Sequence, residues 1–335
     1  MDFYLHIGTE KTGTSSLQSF LDKNIRTLAK MGFGYTRSAG IKNNRKLSIA
    51  AFDKTTRDDF TKRLNIFSED DLLRYQKSVV ADLKNEIGSL NVSKLIFSSE
   101  HIQSRLKKNS EIQRLRDVLI SLGAERIFVI IYIRRPSEIA NSLYSTAIKT
   151  GSTYPCPPLP YENPYYSHIC NHKQTLERFS DVFGKSFIVP RLFDKQELRN
   201  GSLIEDFIHV LGADWSENYE SVSRMNRSLS ATGLEILRRL NNKILIEDKE
   251  NLDRRKLLHY FEKNLSLPKY SMPHSLYKEY EIAFKDSNEW IRQEWFPEKN
   301  TLFPLKEIAD ETICTVPESD LENISGMIYD FWVHK

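Results

Sequence analysis

Phe3-Tyr4-Leu5-His6-Ile7-Gly8-Thr9-Glu10-Lys11-Thr12-Gly13-Thr14-Ser15-Ser16-Leu17-Gln18 changes its periodicity halfway along, and that change decides the fold. Phe3 to Ile7 is a short apolar and aromatic run closed by Gly8, which suits a buried strand. From Thr14 onward the apolar positions Leu17, Phe20, Leu21, Ile25, Leu28 and Met31 recur at helical spacing, and Gly32 stands where a C-cap glycine belongs. The chain therefore opens as strand, polar loop and helix. The backbone N–H groups at such a helix start, together with the helix dipole, form an anion site. Gly13 lets the backbone approach an anion closely. Thr12, Thr14, Ser15 and Ser16 supply hydroxyl donors, and Lys11 supplies a full positive charge able to follow a reacting group.

Further along, the same alternation repeats. Leu72 to Ile87 has helical spacing, and KLIFS (94–98) reads as a second buried strand ending at Ser99, Glu100 and His101. Leu115 to Leu122 marks a helix ending at Gly123. RIFVIIYI (126–133) is the most apolar run, with the length and β-branching of a central parallel strand. Arg134, Arg135 and Pro136 follow it, and Pro136 suits the first turn of the next helix. Residues 151–167 are rich in Pro and Tyr and read as an irregular loop, a lid or a substrate wall. Phe187 to Val189 suggests one more strand, and Leu203 to Leu211 a helix. After about residue 216 the strand signals stop, and Leu234 to Ile244 begins a charged, helical remainder. Strands alternating with helices imply an α/β fold, a parallel sheet flanked by helices, followed by a helical C-terminal region. The expected division is an α/β core over 1–215 and a helical extension over 216–335.

Composition narrows the class. The chain has 335 residues, 40% hydrophobic and 28% charged, with a net charge of +3. That near balance argues against a nucleic-acid binder, which carries a basic stripe, yet it allows a local basic pocket for an anionic small molecule. Three cysteines are too few for a disulfide framework. No stretch has the length or apolarity of a transmembrane segment, so the expectation is a cytoplasmic protein. His168, Cys170 and His172 form a tight trio without a nearby fourth ligand, and no metal is expected.

In the Walker A pattern the lysine follows the second glycine and a Ser or Thr holds magnesium. Here Lys11 precedes Gly13. The loop is built as a phosphate cradle but is not arranged for a nucleoside triphosphate and metal. HIGTEKTGTSSLQ resembles the 5′-phosphosulfate loop of sulfotransferases that use 3′-phosphoadenosine 5′-phosphosulfate (PAPS), most of all the bacterial and carbohydrate-modifying branch. That family commonly has Pro before the lysine, where this chain has Glu10.

Arg134 stands at the C-terminal end of a strand, where ligands bind in open α/β sheets, and a guanidinium can grip a phosphate bidentately. Ser142 follows two helical turns later. IYIRRPSEIANSLY resembles the family's 3′-phosphate motif, with Arg134 and Ser142 on its two matching positions and Arg135 as the second choice. Met225-Asn226-Arg227-Ser228 resembles a late loop that touches the nucleotide in that family, which would bring Arg227 in; a helix N-cap by Ser228 or Ser230 explains the same residues equally well.

The resemblance spans roughly residues 3–245. It implies a P-loop-NTPase-like sheet, PAPS as co-substrate without a metal, and a hydroxyl acceptor on a carbohydrate or glycolipid. It also implies a general base close to the SSEH sequence. Glu100 is the first choice and His101 the second, with His6 third. Alternatives are a nucleotide-dependent kinase, which the lysine order disfavours, and a binding protein that has lost its chemistry, which intact Lys11, Glu100 and His101 disfavour.

Overall fold

The computed structural model describes residues 1–55, 59–222, 229–243, 254–265, 268–304, 319, 320, 322–324, 326 and 327. Its strands are β1 (Asp2–His6), β2 (Phe33–Tyr35), β3 (Lys94–Ser98), β4 (Arg126–Ile133) and β5 (Ile188–Leu192). All pair in parallel, in the order β2-β3-β1-β4-β5. The α/β class and the parallel sheet flanked by helices are thus as the periodicity implied. The strand at Phe33–Tyr35 was not anticipated: three residues are too few to show a period.

Alternation along the strands gives the sheet two apolar faces. Phe3, Leu5, Leu95, Phe97, Val129 and Ile131 are fully buried on one. On the other, Ile96, Ile130 and Tyr132 join Leu17, Phe20, Leu21, Phe207 and Leu211 in one core. Tyr132 also anchors a buried polar network there. Its hydroxyl donates to Asp206 Oδ2 at 2.9 Å, and Arg191 grips the same carboxylate through Nε at 3.0 Å and Nη2 at 2.5 Å.

The long first helix foreseen over 14–31 is two, Thr14–Lys23 and Ile25–Lys30. Asn24 makes the break: its Nδ2 donates to the Phe20 carbonyl at 2.9 Å and its Oδ1 accepts the Glu220 N–H at 2.8 Å. An Asn side chain competing for backbone groups is what ends helices.

Two compact units divide the chain. Met1–Arg134, Asn171–Met225 and Ser287–Asn300 form one, which holds the sheet; Arg135–Cys170, Asn226–Asp286 and Thr301–Lys335 form the other. In the second, the helix Pro136–Lys149 buries Ile139, Ala140 and Leu143 against Tyr166, Ile169, Leu276 and Tyr280. Its later residues Tyr144 and Ile148 pack with Leu234, Leu237 and Phe261. The Pro/Tyr segment is tied down within this unit. Asn241 Nδ2 donates to the Ile148 and Ser152 carbonyls, and the Tyr280 hydroxyl to that of Pro158 at 2.7 Å. Its last residues are helical, Pro164–Cys170. Among the described residues no helix is long and apolar enough to cross a membrane.

Candidate functional site

The chain leaving β1 runs to the β2 edge and the chain leaving β4 runs to the β5 edge, although β1 and β4 are neighbours. Strands whose connections part in this way leave a crevice outside their carboxyl ends, the usual ligand position in open α/β sheets. Lys11 lies just past β1, and Arg134 just past β4.

The first loop is held by its own backbone and by β4. Tyr132 N donates to the Gly8 carbonyl at 2.7 Å, and Thr9 N and Oγ1 both donate to the Tyr132 carbonyl at 3.2 Å. Thr12 Oγ1 donates to the Thr9 carbonyl at 2.7 Å, so this hydroxyl braces the loop. Lys11 takes a left-handed conformation, φ 67°, and Gly13 another at φ 77° as N-cap. The helix Thr14–Lys23 that begins here has no side-chain cap and no acidic residue in its first turn. The Ser16 N–H donates to the Gly13 carbonyl at 3.0 Å, and ahead of it the N–H groups of Thr14 and Ser15 have no side-chain cap, the arrangement that suits an anion. Thr14 is buried, Ser16 half-buried and Ser15 exposed at this end.

Arg134 reaches across to this loop. Its Nη1 donates to the Lys11 carbonyl at 2.8 Å, and its guanidinium carbon lies 5.6 Å from the centre of the Phe193 ring. The buried His172 Nε2 donates to the Arg134 carbonyl at 2.7 Å. That bond sets the ring's tautomer, and burial lowers its pKa to about 4, keeping it neutral. Cys170 Sγ donates to the Pro136 carbonyl at 3.5 Å. Two of the three residues of the His/Cys trio thus have backbone partners.

Arg135 is engaged elsewhere. It is buried, with Nη1 donating to Glu281 Oε2 at 2.9 Å and to the Tyr277 hydroxyl at 3.1 Å, and it stacks on Phe303. Ser137 donates to the other oxygen of Glu281 at 2.8 Å. This second-choice arginine is a fixed part of the second unit's interior. Ser142 sits half-buried on the second turn of the Pro136–Lys149 helix. Arg227 lies outside the described residues.

Glu100 opens a short helix, Glu100–Arg105, at the end of β3. A Cβ on Gly8, which has φ 105°, would meet the Cβ of Glu100 at 3.0 Å, so glycine lets the loop after β1 pass close to the start of this helix. Glu100 Oε2 accepts from Gln18 Nε2 at 2.7 Å and from Asn43 Nδ2 at 2.9 Å. Glu100 Oε1 lies 3.9 Å from His101 Nε2, with the two side chains only 15% and 17% exposed. Sequence reading missed both amide partners. Gln18 ends the quoted motif and carried that much signal; Asn43 carried none. His6, the third candidate base, is a core residue. It is fully buried with Nδ1 at 2.8 Å from Ser98 Oγ, between the Tyr132 and Phe207 rings, and burial holds its pKa down to about 3.

No family model matches the chain. It is 27% identical over 179 residues to an uncharacterised protein of Archaeoglobus fulgidus; the match takes in 51% of this chain and spans about half (46%) of that relative's length. It is similar in structure to a sulfotransferase from Alicyclobacillus acidocaldarius, with a TM-score of 0.39 and 18% identity, over 76% of this chain and 95% of that one.

Proposed function

We propose that the chain is a PAPS-dependent sulfotransferase acting on a hydroxyl of a carbohydrate or glycolipid, in the cytoplasm. The observation that carries the reading is the 2.8 Å bond from Arg134 to the Lys11 carbonyl. It ties the arginine after β4 to the anion-binding loop after β1, so that one nucleotide can engage both. The motif HIGTEKTGTSSLQ, with its lysine before the second glycine, favours a phosphosulfate over a nucleoside triphosphate.

In this reading the uncapped start of the Thr14–Lys23 helix and Lys11 hold the 5′-phosphosulfate, and Arg134 holds the 3′-phosphate. The acceptor oxygen attacks sulfur in line. The O–S bond forms as the bond from sulfur to the bridging oxygen breaks, and adenosine 3′,5′-bisphosphate leaves. Charge gathers on that bridging oxygen, where a preorganised cation contributes most. Glu100 takes the acceptor's proton, with His101 beside it. Alignment and charge stabilisation do most of the work in such transfers.

Transfer of labelled sulfate from PAPS to a mixed glycan extract tests the reading. Labelled glycan is the expected result. Tight binding of ATP with magnesium, together with no binding of adenosine 3′,5′-bisphosphate, would replace it with a kinase.

A further inference from the structure

Two amide side chains from separate segments converge on one oxygen of Glu100. Gln18 comes from the Thr14–Lys23 helix and is itself buried. Asn43 comes from the turn after β2, which is stapled to the end of β3. Asn44 N donates to the Ser98 carbonyl at 2.9 Å, Ser98 N returns a bond to Asn44 Oδ1 at 2.8 Å, and Asn44 Nδ2 donates to the Thr36 carbonyl at 3.0 Å. Gly40 closes this turn with φ 129°; a Cβ there would lie 2.1 Å from the Asn43 carbonyl oxygen. The turn is therefore a built support whose product is the placement of Asn43.

Asn43 serves Glu100 at a cost. Its Oδ1 is buried with no hydrogen-bond partner, and such an orphaned acceptor is unfavourable. Turning the amide over would relieve nothing, because it would set Oδ1 against the carboxylate oxygen. The arrangement fits a clamp that fixes an acceptor carboxylate better than a bond kept for the fold alone.

Resting on the reading above, we infer that Gln18 and Asn43 are positioning residues that fix Glu100 for proton abstraction. Both N–H donors occupy Oε2, so Oε1 is the oxygen that receives the proton. The acceptor O–H bond breaks to Oε1 as the O–S bond forms, and the protonated carboxyl then returns its proton to water. Neither amide touches the nucleotide in this scheme. Each acts through Glu100, and a displacement of about 1 Å at a reacting group can cost on the order of a hundredfold in rate.

A double-mutant cycle tests this, read as labelled sulfate transfer from PAPS to a mixed glycan extract. Gln18→Leu and Asn43→Ala should each lower turnover on the order of tenfold to a hundredfold, with affinity for adenosine 3′,5′-bisphosphate unchanged. In a Glu100→Gln background neither should lower it further. Asn43→Ala carries the test alone if the buried Gln18→Leu variant does not fold. Equal losses in both backgrounds, or no loss in either, overturn the inference while leaving the sulfotransferase reading intact. No transfer by the unsubstituted chain overturns both.

Discussion

The Arg134 guanidinium donates to the Lys11 carbonyl across 2.8 Å, joining the ends of β4 and β1 at the carboxyl edge of the sheet. Arg134 is aimed at the loop through Nη1, and the buried His172 donates to its backbone carbonyl. The geometry brings together two sequence features that lie 123 residues apart.

Lys11→Ala should abolish sulfate transfer while adenosine 3′,5′-bisphosphate still binds. Removing one preorganised donor from a developing charge costs about 3–4 kcal/mol of barrier. Turnover assays beside calorimetry check this, and unchanged turnover removes Lys11 from the chemistry.

Glu100→Gln should slow transfer by roughly 10²-fold or more, the scale of a general base, with donor affinity kept. The amide also disturbs the two N–H donors on Oε2. Full activity in Glu100→Gln and none in His101→Ala would move the base to the histidine.

Histidine burial makes stability pH-dependent. His172 and His6 are held neutral in the fold, at about 4 and about 3, against an ordinary 6.5. As pH falls below 6.5 the unfolded chain binds protons that the folded chain refuses, so stability is lost from there downward. Thermal unfolding should therefore move to lower temperature between pH 6.5 and 4. His172→Gln should flatten that slope by removing one of the two groups; an unchanged slope contradicts its neutral, buried role.

Asp206→Ala should destabilise the sheet unit by about 3 kcal/mol or more, because it leaves Arg191 without its carboxylate and the buried Tyr132 hydroxyl without its acceptor. Chemical denaturation measures it. A loss below about 1 kcal/mol would show that water replaces the carboxylate at Arg191.

How far the sequence went follows from where the signals are local. Phe3–Ile7 and Arg126–Ile133 are long enough to show a strand, and each is followed by its loop or arginine, so the sheet and the Lys11 and Arg134 positions were readable directly. Phe33–Tyr35 was too short to show any period. Asn24 broke a helix through a bond to Glu220, 196 residues away, and Asn43 reached Glu100 through a turn whose shape depends on Asn44 and Ser98. The Thr12 hydroxyl's bond to the Thr9 carbonyl depends on how the loop folds back, which no local pattern shows. The motif ranked Arg134 ahead of Arg135, but the partners that hold Arg135, Glu281 and Tyr277, stand more than 140 residues away and left no local signal.

The most direct measurement is a pair of calorimetric titrations, adenosine 3′,5′-bisphosphate against adenosine 5′-monophosphate, on the unsubstituted chain and on Arg134→Ala. If the two anion sites hold the two ends of one nucleotide, the unsubstituted chain prefers the bisphosphate. Losing a charge-assisted bond of about 1.5–3 kcal/mol should then erase most of that preference in the variant, with monophosphate affinity little changed. An equal preference in both proteins would contradict the assignment of Arg134 to the 3′-phosphate and, with it, the two-ended nucleotide site.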